Sequence, residues 1–117
     1  KKTNLVTDIN FNPLYVETLC MLIKKIILKK KLKGIYNLGS KNKISKGMLL
    51  YKFVEKLGFK KDLFSFVSAK KINFSAPRPL NMHMSVKKIE KDLKIQMPSI
   101  NDELNHLKNS FLERNAI

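Results

Sequence analysis

An α/β fold with few, short strands and about four helices is predicted by three features of the sequence. Apolar residues recur at helical spacing in blocks, each opened by a capping residue or a proline. Between the blocks lie short runs of apolar and aromatic residues bounded by glycine or lysine-rich turns. No repeat or low-complexity linker divides the 117 residues, a length that suits one modest domain or part of a larger one.

Taken in order, residues 4–9 read as a short strand. Asn12 as N-cap and Pro13 at the first helical position open a helix, because the missing N–H of proline costs nothing there. Its stripe is Val16, Leu19, Cys20, Ile23, Ile26 and Ile27, with lysines on the other face and Gly34 as the stop. Cys20 lies in that stripe and is expected to pack in the core. Residues 34–40 read as a buried strand between glycines. Ser45 caps a second helix carrying Leu49, Leu50, Phe53, Val54 and Leu57 on one side, and Gly58 ends it. Residues 63–67 form another predicted strand. Ser85 caps a short helix with Val86, Ile89 and Leu93 inward. Pro98-Ser99 opens the last helix, with Asp102 at capping-box spacing and the stripe Ile100, Leu104, Leu107 and Phe111. Beyond Leu112 the tail is expected to fray. So few strands are not expected to make a complete independent sheet.

The net charge of +15 directs attention to anionic partners. Yet 22 of the 24 basic residues are lysine, spread along the whole chain. Base readout leans on arginine, and single-strand binding on interleaved aromatics, so the pattern favours solvated lysine faces over a nucleic-acid-binding module. The single cysteine excludes an internal disulfide and a multi-cysteine zinc site, and it fits a reduced compartment. No apolar run approaches the roughly 20 residues of a membrane span. The N-terminal residues lack the apolar core of a signal peptide.

Catalytic machinery is not legible. The glycines at 34, 39, 47 and 58 match neither dinucleotide nor P-loop spacing. Four residues beyond Tyr15, Tyr36 and Tyr51 stand Leu19, Ser40 and Glu55, so no Tyr-x-x-x-Lys pair exists. His83 and His106 have no metal-ligand spacing, and Asp102, four residues before His106, reads as a surface contact. Hence no catalytic residue, cofactor-binding residue or metal ligand is assigned. Arg78 stands apart: the Pro77-Arg78-Pro79 clamp restricts its backbone to extended conformations. A guanidinium so held suits bidentate contact with phosphate or carboxylate. Equally, it could tie its loop to a neighbouring carbonyl or acid.

Several segments together resemble a known family. These are Asp8 followed by Asn12-Pro13-Leu14-Tyr15 and a helix, then Gly34-Ile35-Tyr36-Asn37-Leu38-Gly39, then Ser45 opening a helix that closes at Gly58, and Ala76-Pro77-Arg78-Pro79-Leu80-Asn81. With Lys88 and the Pro98-Ser99 opening, the layout over residues 3–108 is similar to the C-terminal part of the extended short-chain dehydrogenase/reductases that act on nucleotide sugars. Within them it is most like the dTDP-4-dehydrorhamnose reductase branch. Ser85 stands where that family commonly has aspartate, Met82 and His83 where small polar residues are common, and Leu14 where threonine is common.

The resemblance implies that residues 1–117 are a C-terminal substrate-binding portion of an extended Rossmann-type reductase. The NAD(P)-binding Rossmann part and the Tyr-x-x-x-Lys pair would then precede Lys1, leaving this portion non-catalytic alone. The family reaction is hydride transfer from NADP or NAD, held mainly by that other part, to a keto-sugar used in polysaccharide precursor synthesis. The expected substrate is a dTDP-sugar-like nucleotide sugar. Arg78 would meet the diphosphate, Asn81 would orient it or its loop, and Tyr15 could line the substrate side or pack the helix. The magnesium that some members use is matched by no residue here. A cytoplasmic setting and a homodimer agree with the family. The alternatives are an epimerase or dehydratase portion, or a non-catalytic regulatory subunit of the same fold.

Overall fold

A computed structural model describes residues 1–116. Strand β1 (Thr3–Val6) pairs in parallel with β4 (Phe64–Val67), Thr3 opposite Phe64 and Val6 opposite Val67. Helix α1 (Val16–Leu28) and helix α2 (Lys46–Lys56) lie between these strands in sequence, as a parallel pair requires a long crossover. A second pair is antiparallel: β2 (Asn10–Phe11) against β3 (Ile44–Ser45). A 3₁₀ turn at Ala69–Lys71, helix α3 (Lys87–Leu93) and helix α4 (Ile100–Asn115) complete the order.

At the starts of α2 and α4 the sequence reading of the caps holds. The Ser45 hydroxyl accepts from the Met48 N–H at 3.2 Å, opening α2. Gly58 follows α2 with φ +79°, a left-handed turn that glycine adopts without cost. At α4, Ser99 and Asp102 form a reciprocal capping box. Gly47 lets α2 approach β1, since a Cβ there would stand 2.5 Å from the Val6 carbonyl oxygen.

Elsewhere tertiary contacts override the local signals. Asn12 does not cap α1: its side chain is taken up by Ser40 and Met84, and the helix starts three residues later with Tyr15 at the N-cap. The helix also stops at Leu28, ahead of Gly34. Its buried side is centred on Leu22, which packs with Val86, Ile89 and Met97 in one core cluster, with half-buried Ile26 against it. At 100° per residue, Val16, Cys20, Ile23 and Ile27 then point away. Cys20 is therefore exposed rather than packed in the core. Residues 34–40 form no ladder, and Ile35 is 88% exposed, because no neighbouring strand is present among the described residues to pair with them. Ser85 does not cap α3; Val86 occupies that position with no side-chain cap.

A second core cluster joins Ile44 to Ile100 and Leu104 of α4, with Phe53 of α2 against it. Phe53 meets Phe111 edge-on at 5.9 Å. The molecule is a slab 21 Å thin. Its radius of gyration is 16.6 Å, whereas a compact domain of this length has about 13 Å.

Candidate functional site

Arg78 lines a cavity of about 310 Å³ between β1, α2 and the proline clamp, together with Leu5, Ile9, Lys46, Gly47, Leu50 and Phe74 among others. Its guanidinium carbon sits 5.9 Å from the centre of the Phe74 ring, over its face. Among the described residues the ion pair is Lys61 with Glu55, so no described carboxylate lies within ion-pair distance of Arg78.

The loop that carries Arg78 is held at both ends by the segment after β1. On the near side, the Asp8 carboxylate accepts from the Ser68 hydroxyl at 2.6 Å and from the Ala69 N–H at 2.7 Å, fixing the 3₁₀ turn. These two donors, the hydroxyl foremost, hold the Asp8 carboxyl below the usual aspartate range. On the far side, the Asn10 N–H donates to the Leu80 carbonyl and its carbonyl accepts from the Met82 N–H, both at 2.8 Å. This makes a parallel bridge of Asn10 with Asn81. Pro77 and Pro79 stiffen the span between the anchors.

The other sequence candidates lie elsewhere. Asn81 is not on the Arg78 cavity; its side-chain oxygen accepts from the His83 N–H at 3.2 Å, shaping the turn after the clamp. Tyr15 borders a separate, largely apolar cavity of about 340 Å³ where α1, α2 and α4 meet. Its ring lies parallel to His106 at 6.5 Å. Its backbone N–H donates to Glu103, whose other oxygen accepts from the Thr18 hydroxyl at 3.0 Å. Arg78 and Tyr15 are therefore not brought together.

Two residues escaped the sequence reading. Glu103 is buried, joining α4 to the start of α1. An acid on the Ile100–Leu104–Leu107 face was the signal for it. Lys46 lines the Arg78 cavity, and nothing in the sequence separates it from the other lysines.

No group of three or more His, Cys, Asp or Glu side chains comes together for a metal among the described residues. A Cβ at Gly39 or Gly47 would strike Asn12 or β1, so both glycines serve close chain packing. No helix among the described residues is long and apolar enough to cross a membrane.

No family model and no curated protein sequence matches the chain. Among solved structures, it is similar to dTDP-4-dehydrorhamnose reductase from Bacillus anthracis, crystallised with NADP, with a TM-score of 0.77 and 23% identity. The similarity covers 91% of this chain and 37% of the reductase chain. The α/β arrangement of four helices and short strands is thus a fold also found within that longer chain, of which this chain spans a little over one third.

Proposed function

We propose that residues 1–117 are the substrate-binding portion of an NAD(P)-dependent nucleotide-sugar reductase acting on a dTDP-4-dehydrorhamnose-like keto-sugar in the cytoplasm. The observation that carries this reading is the shared fold, which extends over 91% of the chain yet accounts for 37% of the reductase. Catalysis and most of the NADP or NAD contact would come from a dinucleotide-binding portion outside these residues.

The surface supports a covering portion. Helix α1 is apolar on both sides: Leu22 is buried, while Val16, Ile23 and Ile27 are 60%, 42% and 73% exposed. A stripe of exposed apolar side chains beside the buried one is normally covered by a partner surface. A parallel strand pair is normally covered on both faces, yet Phe66 of β4 is 51% exposed. The thin slab and the large radius of gyration fit the same reading.

In the complete enzyme Arg78 would hold the diphosphate of the nucleotide sugar, while Asn81 shapes its loop and Tyr15 anchors α1 beside the substrate side. The test is Arg78→Lys in a protein that contains both portions. Affinity for dTDP or a dTDP-sugar should fall by about 1–3 kcal/mol, the range for a charge-assisted bidentate bond. Unchanged affinity with lowered stability makes the arginine structural. Ligand binding without NADPH oxidation by the two-portion protein would instead identify a regulatory relative of the same fold.

A further inference from the structure

We infer that the apolar cavity where α1, α2 and α4 meet is a binding site for an organic ammonium compound, with Glu103 receiving the charged head. The site is separate from the Arg78 cavity, so the inference stands apart from the nucleotide-sugar reading.

The cavity holds about 340 Å³, within the range of ligand pockets, and its wall is mostly aliphatic, with Leu14, Val16, Leu49 and Leu107 among others. Among the described residues that line it, the charged one is Glu103, which is 6% exposed. Its carboxylate lies at the Tyr15 edge of the cavity: one oxygen accepts the Tyr15 N–H, and the other accepts the Thr18 hydroxyl at 3.0 Å. A buried carboxylate is ordinarily matched by a cation. Here neither lysine nor arginine lines the cavity, although the sequence holds 24 of them. No described cation lies within ion-pair distance of Glu103.

Two bonds do not exhaust a carboxylate, which can accept about four. An ammonium group entering from the cavity would supply the missing positive charge and donate to the remaining lone pairs, in surroundings where charge-assisted bonds are strong. The apolar body attached to it would lie against the aliphatic wall. The chain as a whole opposes such a ligand, because its net charge of +15 repels cations and draws anions. A preference for a cation must therefore come from the local carboxylate, which makes the charge of the ligand the deciding variable.

The probes are benzylamine, protonated at neutral pH, with benzyl alcohol and benzoate as neutral and anionic counterparts of similar shape. Each is titrated into the 117-residue chain at fixed salt and followed by methyl NMR. Benzylamine should shift the methyl groups of Leu14, Val16, Leu49 and Leu107, and should bind about tenfold more tightly than either counterpart. Glu103→Gln, shown to be folded by its amide spectrum, should lose most of that preference. Glu113→Gln, which removes an exposed acid from the same helix, should keep it. If benzyl alcohol or benzoate binds as tightly as benzylamine, or if none of the three binds, the ammonium site falls on the parent chain alone, whatever the variants do. A folded Glu103→Gln chain that still prefers benzylamine overturns it as well.

Discussion

Asn12 and Met84 exchange a pair of hydrogen bonds across 72 residues of sequence. The Asn12 amide donates to the Met84 carbonyl at 2.9 Å, and its side-chain oxygen accepts from the Met84 N–H at 3.0 Å. The same amide donates to the Ser40 carbonyl at 3.0 Å. One buried side chain thus joins the approach to α1, the loop before β3 and the segment leading to α3. It does so where Gly39 leaves room: a Cβ there would stand 2.4 Å from Asn12 Nδ2.

Asn12→Ala should therefore destabilise the chain by about 1–3 kcal/mol, because it leaves the buried Ser40 carbonyl and the part-buried Met84 backbone groups without their partner. Gly39→Ala should act in the same direction by forcing the amide out of place. Urea unfolding followed by circular dichroism measures both. A loss below about 0.5 kcal/mol for Asn12→Ala would refute the joining role of its side chain.

Glu103 gives a second stability prediction. Its carboxylate accepts the Tyr15 N–H and the Thr18 hydroxyl, acting as a cap on α1 supplied by α4. Glu103→Ala should cost about 1–3 kcal/mol, and Glu103→Gln less, because an amide oxygen can still accept one of the two bonds. Thermal melts of the two variants should rank accordingly.

Acid should loosen the turn that anchors the arginine loop. The Asp8 carboxyl is held low by Ser68 and the Ala69 N–H, and the Asp102 carboxyl by Ser99. Folded values below the unfolded ones mean that this stabilisation is complete above about pH 4 and disappears as pH falls through the folded values. Melting temperature should thus drop more steeply below about pH 4 for the parent chain than for Asp8→Ala. Parallel curves would contradict this.

The outer face of α1 should tolerate polar substitution. Ile23→Gln with Ile27→Gln should change the stability of this chain by no more than about 0.5 kcal/mol per site, as for exposed positions generally. The same pair should abolish association with a dinucleotide-binding portion supplied as a separate polypeptide, measured by analytical ultracentrifugation. A large loss of stability in the chain alone would show that the stripe is already buried.

Two helix caps were legible from local sequence: Ser45 and Ser99 act on their own next turn, within four residues. The same logic failed at Asn12, because a carboxamide can satisfy distant backbone groups as well as local ones, and buried carbonyls need partners wherever they lie. The strand expected over residues 34–40 failed for a related reason. A strand exists only with a neighbour, and these residues have none among those described.

The α1 stripe shows the division most clearly. A broad apolar stripe with a period near 3.6 determined that a helix forms between Asn12 and Gly34, whichever part of the stripe faces inward. Periodicity cannot say which edge of that stripe meets the core. That was decided by Val86, Ile89 and Met97, which pack on Leu22 and leave Cys20, Ile23 and Ile27 outside. The site divides in the same way. Two prolines marked Arg78 as a held arginine from local backbone chemistry alone. Its cavity depends on α2 lying against β1, a contact between segments far apart in the chain that only folding creates.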